Sequence, residues 1–281
     1  MSPPRTLYIS DLDGTLLNKT AELSGHTRDA LAGMIADGLN FSVATARTAA
    51  SAENILADIR FNIPIVLMNG VLIYDTERKR YIRVNALSSR AVGEIIGVLK
   101  KLNAAGLMYE LKDETPMTYY ESLESKPIRD FVEERVTRYY KNFRRVGSFS
   151  DVPPENVIYF TLLDSYERVK PVHDILRGLS GIALTMYNDI YDAALWYLEI
   201  FSEEASKRSA VEFLRKEYGF EHITGFGDNL NDLPLFEACD RRVAVGNAKT
   251  EVKAAADFIC LPNDSDGVVK WIGEHIEVRA E

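Results

Sequence analysis

Short apolar runs alternate with amphipathic stretches along the first part of the chain. Leu7-Tyr8-Ile9 has the continuous apolar character of a buried strand. Thr27 to Asp37 reads as a helix, with Leu31, Met34 and Ile35 at helical spacing and Gly38 as its stop. Asn40 to Ala44 is the next strand, Ala49 to Ile59 the next helix, and Ile63 to Met68 a third strand. Strands that alternate with helices imply right-handed crossovers and a parallel sheet. The C-terminal stretch has the same rhythm. Its predicted strands are Tyr197 to Phe201, His222 to Phe226, Arg242 to Val245 and Phe258 to Leu261. Its predicted helices are Ser206 to Tyr218, Leu230 to Ala238, Lys249 to Ala256 and Val268 to His275.

The middle, residues 84 to 194, is richer in tyrosine and charge and looser in rhythm. Helices are expected over Ser89 to Leu102, Pro127 to Tyr139 and Arg168 to Leu179. Strands are expected over Gly106 to Leu111, Val157 to Leu163 and Ile182 to Tyr187. This pattern predicts an α+β domain with a mainly antiparallel sheet. The fold class is therefore α/β: a discontinuous parallel-sheet core, 1–83 and 195–281, with an inserted domain at 84–194.

Composition narrows the function. The chain has 281 residues, 46% of them hydrophobic and 27% charged, ordinary for a folded globular protein. Its formal net charge is −9, which opposes electrostatic binding to a nucleic-acid backbone. A small anionic substrate would need a bound cation or a locally placed Lys or Arg. The two cysteines, Cys239 and Cys260, form no metal-type or redox-type pair and are expected to be small buried residues in a reducing compartment. No apolar run is long enough to suggest a membrane span, and the N-terminus has no secretory pattern. The expected location is the cytoplasm, with neither membrane nor nucleic acid as partner.

Candidate chemistry sits at the predicted strand ends, where open parallel sheets collect their ligands. Asp11-Leu12-Asp13-Gly14-Thr15-Leu16-Leu17 follows the first strand directly. Two carboxylates this close repel unless a cation or a shared proton relieves them, and a hard ion such as Mg²⁺ suits oxygen ligands. A plain Asx-rich turn is the alternative. Gly227-Asp228-Asn229-Leu230-Asn231-Asp232 follows a second strand; Asp228 could complete a metal site and Asp232 support it. Helix capping by Asn231 or Asp232 is the other reading. Thr45 ends the strand Asn40 to Ala44 and could hydrogen-bond a phosphate oxygen, or simply start a helix. Lys207 could supply positive charge, or lie on the solvated surface.

In this order the four elements resemble the haloacid dehalogenase superfamily of phosphohydrolases, and within it the Cof-type members with a type IIB cap. Asp11 to Leu17, Thr45 to Arg47, Lys207 and Gly227 to Asp232 carry the resemblance. Asn69-Gly70, the run Val243 to Ala248, Val252, Ala255 to Asp257 and Gly267-Val268 follow the same pattern. Ala46 stands where Gly is usual, Ala205-Ser206-Lys207-Arg208 replaces Val-Ser-Lys-Gly, and Leu235 stands where Met is common. None of these departures removes a charged catalytic group.

The resemblance implies a Rossmann-like core with the inserted domain as cap, and a phosphatase acting on small phosphorylated metabolites such as sugar phosphates. It assigns Asp11 as nucleophile and Asp13 as general acid and base. Mg²⁺ would be held by Asp11, the backbone carbonyl of Asp13, and Asp228. The amides of Leu12 and Ala46, with Thr45, Lys207 and Asn231, would bind phosphate oxygens, and Asp232 would support the site. Asp at position 13 points to phosphoesters rather than to P-type ATPase or carbon–phosphorus chemistry. A sugar phosphomutase and a non-catalytic Mg²⁺-dependent binding protein are the competing readings. Cap tyrosines, among them Tyr109, Tyr119, Tyr120, Tyr139, Tyr140 and Tyr187, could stack on sugars or belong to core and rim. Arg144-Arg145 could meet a second anion or form a solvated turn.

Overall fold

A computed structural model describes residues 5–139, 142–189, 192 and 194–276. The chain runs β1 (Thr6–Ser10), α1 (Gly25–Ala36), β2 (Asn40–Val43), α2 (Ala49–Ile55), β3 (Ile65–Leu67), β4 (Leu72–Asp75) and β5 (Arg80–Val84). There follow α3 (Ser89–Leu102), β6 (Leu107–Lys112), β7 (Thr115–Tyr120), α4 (Lys126–Tyr139), β8 (Phe143–Arg145), β9 (Val157–Ser165), α5 (Tyr166–Leu176), β10 (Ile182–Asn188) and β11 (Leu195–Ser202). The last part is α6 (Lys207–Tyr218), β12 (His222–Gly227), α7 (Leu233–Glu237), β13 (Arg241–Ala244), α8 (Thr250–Ala255), β14 (Phe258–Ile259) and α9 (Gly267–His275). Two compact units result: Met1–Arg83 with Ser206–Glu281, and Val84–Ala205.

The first unit is built on a sheet in the order β14-β13-β12-β1-β2, with every pair parallel. Leu7, Tyr8 and Ile9 of β1 are buried, as a central strand covered on both faces requires. The chain leaves β1 toward β2 on one side, and leaves β12 toward β13 and β14 on the other. The boundary between β1 and β12 is thus a topological switch point, where loops diverge and open a crevice. Ser10 lies opposite Phe226, so Asp11 and the acidic loop after β12 emerge side by side. A parallel bridge from Ala44 to Val66 sets β3 beside β2, and β3-β4-β5 form a small separate sheet.

The second unit is a six-stranded sheet, β10-β11-β9-β6-β7-β8, antiparallel except for the parallel pair β7–β8. Ala91, Val92, Ile95, Ile96 and Leu99 make one apolar stripe on α3. Together with Val169, Val172 and Leu176 of α5, they form a core with Met108, Phe160, Leu198 and Ile200 of the sheet. Tyr109 and Tyr119 are buried and Tyr187 is half-buried; Tyr140 lies outside the described residues, as does the side chain of Tyr139. Arg144 and Arg145 are exposed, but they lie on strand β8 and not in the expected turn.

Several expectations need correction. The strand at 197–201, expected in the core, is β11 of the second unit, paired antiparallel with β9 and β10. The unit boundary accordingly falls after Ala205, not after residue 194. Alternating buried positions specify a strand but not its partner, which is a non-local choice. Strands β4, β5, β7 and β8 were not anticipated, and the helix expected over 230–238 divides into a short 3-10 turn and α7. Neither cysteine is fully buried, although burial pushes both thiols up in pKa.

Candidate active site

The Asp11 amide donates to the Phe226 carbonyl at 3.0 Å, which carries the β1–β12 pairing one residue past the strand. Ladder pairing then stops. The turn Leu12–Leu16 is closed by Leu17 N donating to Leu12 O at 2.9 Å and anchored by buried Leu12, Thr15 and Leu16. Gly14 has φ +77°, and a Cβ there would lie 2.5 Å from Asp228 Oδ2. Both the backbone angle and the close approach require glycine.

The acidic loop after β12 is organised by its own side chains. Asn229 caps the short turn Leu230–Asp232, its Oδ1 accepting from Leu230 N at 2.8 Å. Asp232 is wholly buried, and its Oδ2 accepts from the amides of Asp228 at 2.9 Å and Asn229 at 3.0 Å. Capping and site support are therefore the same contact, made through Asn229 and Asp232 rather than Asn231. Asn231 is half-buried in the turn. Thr15 Oγ1 donates to Asp228 Oδ1 at 2.7 Å and ties the two acidic segments together.

Lys207 is not a surface lysine: its side chain is 1% exposed. It opens α6, where Ser206 is the cap and accepts from Ser209 N at 2.9 Å. Its Nζ donates to Asp11 Oδ1 and to Asp232 Oδ1, each at 2.6 Å. Met68, Asn69 and Gly70 pack against this helix start with φ of 49°, 55° and 98°. Such a run is strained and persists only where its surroundings over-determine it. Here the Met68 and Asn69 amides donate to the carbonyls of Arg47 and Thr45 at 3.0 Å. A Cβ on Gly70 would come within 2.2 Å of the Ser206 carbonyl. One turn thus seats both the Thr45 loop and the Lys207 helix.

Thr45 is buried at the end of β2, and its hydroxyl accepts from the Arg47 amide at 3.1 Å, with Ala46 half-buried between them. The Arg47 side chain is the participant that sequence reasoning missed. Its Nε and Nη2 donate to Asp13 Oδ2 and Oδ1 at 2.7 and 2.6 Å, and Nη1 donates to Ser51 Oγ at 3.0 Å. The sequence signal was slight: an arginine two residues beyond a strand-end threonine, with Asp13 in need of a counter-charge.

Asp11, Asp228 and Asp232 each offer one carboxylate oxygen, and these lie within 4.8 Å of one another. The expected metal set was Asp11, Asp13 and Asp228. At Asp13 the expected ligand was the backbone carbonyl, and the carboxylate itself pairs with Arg47. Both Asp232 oxygens are engaged by Lys207 and by amides, so its carboxylate supports the cluster. Burial pushes the Asp11 carboxyl well up, against the pull of Lys207, with the neighbouring aspartates adding to the rise. Asp228 is pushed up to about 6 by burial and then by the charge of Asp232. Burial opposes the charge on Lys207, but Asp11 and Asp232 outweigh it and raise its pKa. Three clustered carboxylates with one ammonium, paired to Asp11 and Asp232, leave more acidic than basic groups in a largely buried site. A divalent cation with a preference for oxygen ligands fits that donor set.

Two acidic segments and a buried lysine thus meet at the switch point between β1 and β12. The sequence profile of haloacid dehalogenase-like hydrolases matches residues 8–272, and the chain belongs to that family. It is 28% identical over 284 residues to the 5-amino-6-(5-phospho-D-ribitylamino)uracil phosphatase YwtE of Bacillus subtilis, covering 94% of this chain and 96% of YwtE. A haloacid dehalogenase-like hydrolase from Bacteroides thetaiotaomicron superposes with a TM-score of 0.80 at 24% identity, over 96% of this chain and 99% of that one. The subclass IIB sugar phosphatase BT4131 superposes with a TM-score of 0.72 at 22% identity, over 96% and 98%. The fold is thus that of the capped IIB group. No helix among the described residues is long and apolar enough to cross a membrane.

Proposed function

We propose that this phosphatase of the haloacid dehalogenase-like family is Mg²⁺-dependent and hydrolyses phosphomonoesters of small metabolites, sugar phosphates among them, through an aspartyl phosphate. The observation that carries the reading is the cluster of Asp11, Asp228 and Asp232, two of which pair with the buried Lys207 ammonium, with Asp13 two residues beyond Asp11. The name of YwtE, a phosphatase of a phosphorylated ribityl compound, supports the substrate class.

In this reading an Asp11 carboxylate oxygen attacks phosphorus and the bond to the leaving oxygen breaks. Asp13 gives its proton to that oxygen. It then takes a proton from water, which attacks the aspartyl phosphate and frees Asp11 and inorganic phosphate. Both Asp13 oxygens accept from Arg47, so proton transfer requires Asp13 to give up part of that pair. Lys207, which pairs with Asp11, would bind phosphate oxygens together with Thr45, the amides of Leu12 and Ala46, and Asn231. Asp11, the Asp13 carbonyl and Asp228 would hold Mg²⁺. When bound, the ion offsets repulsion between Asp11 and the phosphate and stabilises the transferring group. On the family resemblance the inserted unit would serve as the cap, whose role is to exclude water and select the leaving group.

The test is phosphate release from a panel of sugar phosphates, nucleotides and an aryl phosphate, with Mg²⁺ or chelator. Release should require Mg²⁺ and fall by roughly a thousandfold or more in Asp11→Asn. Appreciable turnover by Asp11→Asn would overturn the nucleophile assignment. Phosphoryl transfer that needs a bisphosphate activator would identify a mutase, and binding without turnover a non-catalytic protein.

A further inference from the structure

A third loop, between β13 and α8, reaches both acidic segments. Asn247 Nδ2 donates to the Gly14 carbonyl at 2.7 Å. Two residues on, the Lys249 amide donates to the Asp228 carbonyl at 2.9 Å. The same loop therefore grips the turn that carries Asp13 and the loop that carries Asp228. Asn247 is itself oriented, its Oδ1 accepting from Asn263 N at 3.0 Å. Asn263 Nδ2 donates in turn to the Leu17 carbonyl at 2.8 Å, and Lys19 N donates to Asp264 Oδ1 at 2.8 Å. The segment 14–19 is thus clasped at three points by side chains from 247, 263 and 264.

Two features argue that this clasp serves the site and not the core. Asn247 is exposed, so its side chain adds little apolar burial. Its partner is Gly14, a residue with no side chain to anchor it and with Asp228 Oδ2 occupying the space a Cβ would need. Backbone freedom is greatest where a fixed distance matters most.

We propose that Asn247 is a positioning residue that holds the Asp13–Gly14 turn at the separation from Asp228 that cation binding requires. This rests on the Mg²⁺-dependent reading above. The role needs an amide, because Nδ2 must donate to Gly14 while Oδ1 accepts from Asn263. Asn247→Asp keeps the shape and the acceptor but sets a carboxylate against the Gly14 carbonyl. Asn247→Ala removes both contacts without adding repulsion.

Calorimetric titration of Mg²⁺ into substrate-free protein, with hydrogen exchange of the peptide spanning 12–19, tests the role. Asn247→Asp should weaken Mg²⁺ binding roughly tenfold, the worth of one good hydrogen bond, and speed exchange in that peptide. Asn247→Ala should lie between it and the parent, with the thermal midpoint of both little changed. Parent-like affinity and exchange in Asn247→Asp overturn the proposal. So does an equal loss in both variants that follows a fall in thermal midpoint, since that is a purely structural effect. Should the parent bind no Mg²⁺ and release no phosphate, the functional reading fails, and the exchange data still decide whether Asn247 fixes the turn.

Discussion

Glu110 in the second unit and Asp232 in the first are both almost fully buried, at 3% and 0% exposure, yet their surroundings differ in kind. Glu110 accepts one hydrogen bond from Tyr119 Oη at 2.6 Å, and Glu199 on the same sheet accepts from Tyr187 Oη at 3.2 Å. Each of these carboxylates has a neutral phenol as partner. Burial, with help from Glu110, pushes the Tyr119 phenol up to about 12, so it remains a donor at any ordinary pH. The first unit instead gathers Asp11, Asp228 and Asp232 together, with Lys207 as the buried cation paired to Asp11 and Asp232. A folded chain tolerates one buried carboxylate wherever a hydroxyl can reach it. Several clustered carboxylates, by contrast, repel one another and make a site able to take a further cation.

The largest test of this contrast is Lys207→Met. It leaves Asp11 and Asp232 buried without their counter-charge, and should lower the unfolding free energy by about 3–5 kcal/mol in urea titration. A loss below about 1 kcal/mol would mean that water replaces the ammonium, as at an exposed pair. Tyr119→Phe should cost less, about 1–3 kcal/mol, for one unsatisfied buried acceptor. It should leave Mg²⁺ affinity unchanged; a shift in that affinity would break the separation between the two regions.

The smallest effect is one of pH. Asp228 titrates near 6 in the folded chain against 3.8 for the unperturbed group, so between these values the folded state binds the extra proton. Its stabilising contribution is complete below 3.8 and is lost as pH rises through about 6. With chelator present, the thermal midpoint should therefore carry a downward component over that interval. Mg²⁺ bound to ionised Asp228 should flatten or reverse it. A slope identical with and without Mg²⁺ would remove Asp228 from the ligand set.

Much of the site was legible because its residues sit where strands end. Asp11, Asp13, Thr45, Asp228 and Asp232 each follow an apolar run within a few positions, and the resemblance added their roles. Lys207 was legible only through that resemblance, since nothing local separates a buried lysine from a surface one. Asn69-Gly70 and Asn247 were visible as motif positions without a function. Their partners explain why: Asn247 reaches Gly14 across 233 residues, and Arg47 reaches Asp13 across 34.

The sequence by itself determined the alternation of strands and helices, the α/β class, the inserted unit and the acid chemistry at two strand ends. Periodicity, capping residues and turn glycines act over a few positions, so they can be read there. Only the tertiary structure decided that β11 joins the second sheet, that Lys207 is buried between Asp11 and Asp232, and that Asp13 faces Arg47. Strand partnership, desolvation and charge pairing depend on which distant segments meet, and no local pattern encodes that meeting.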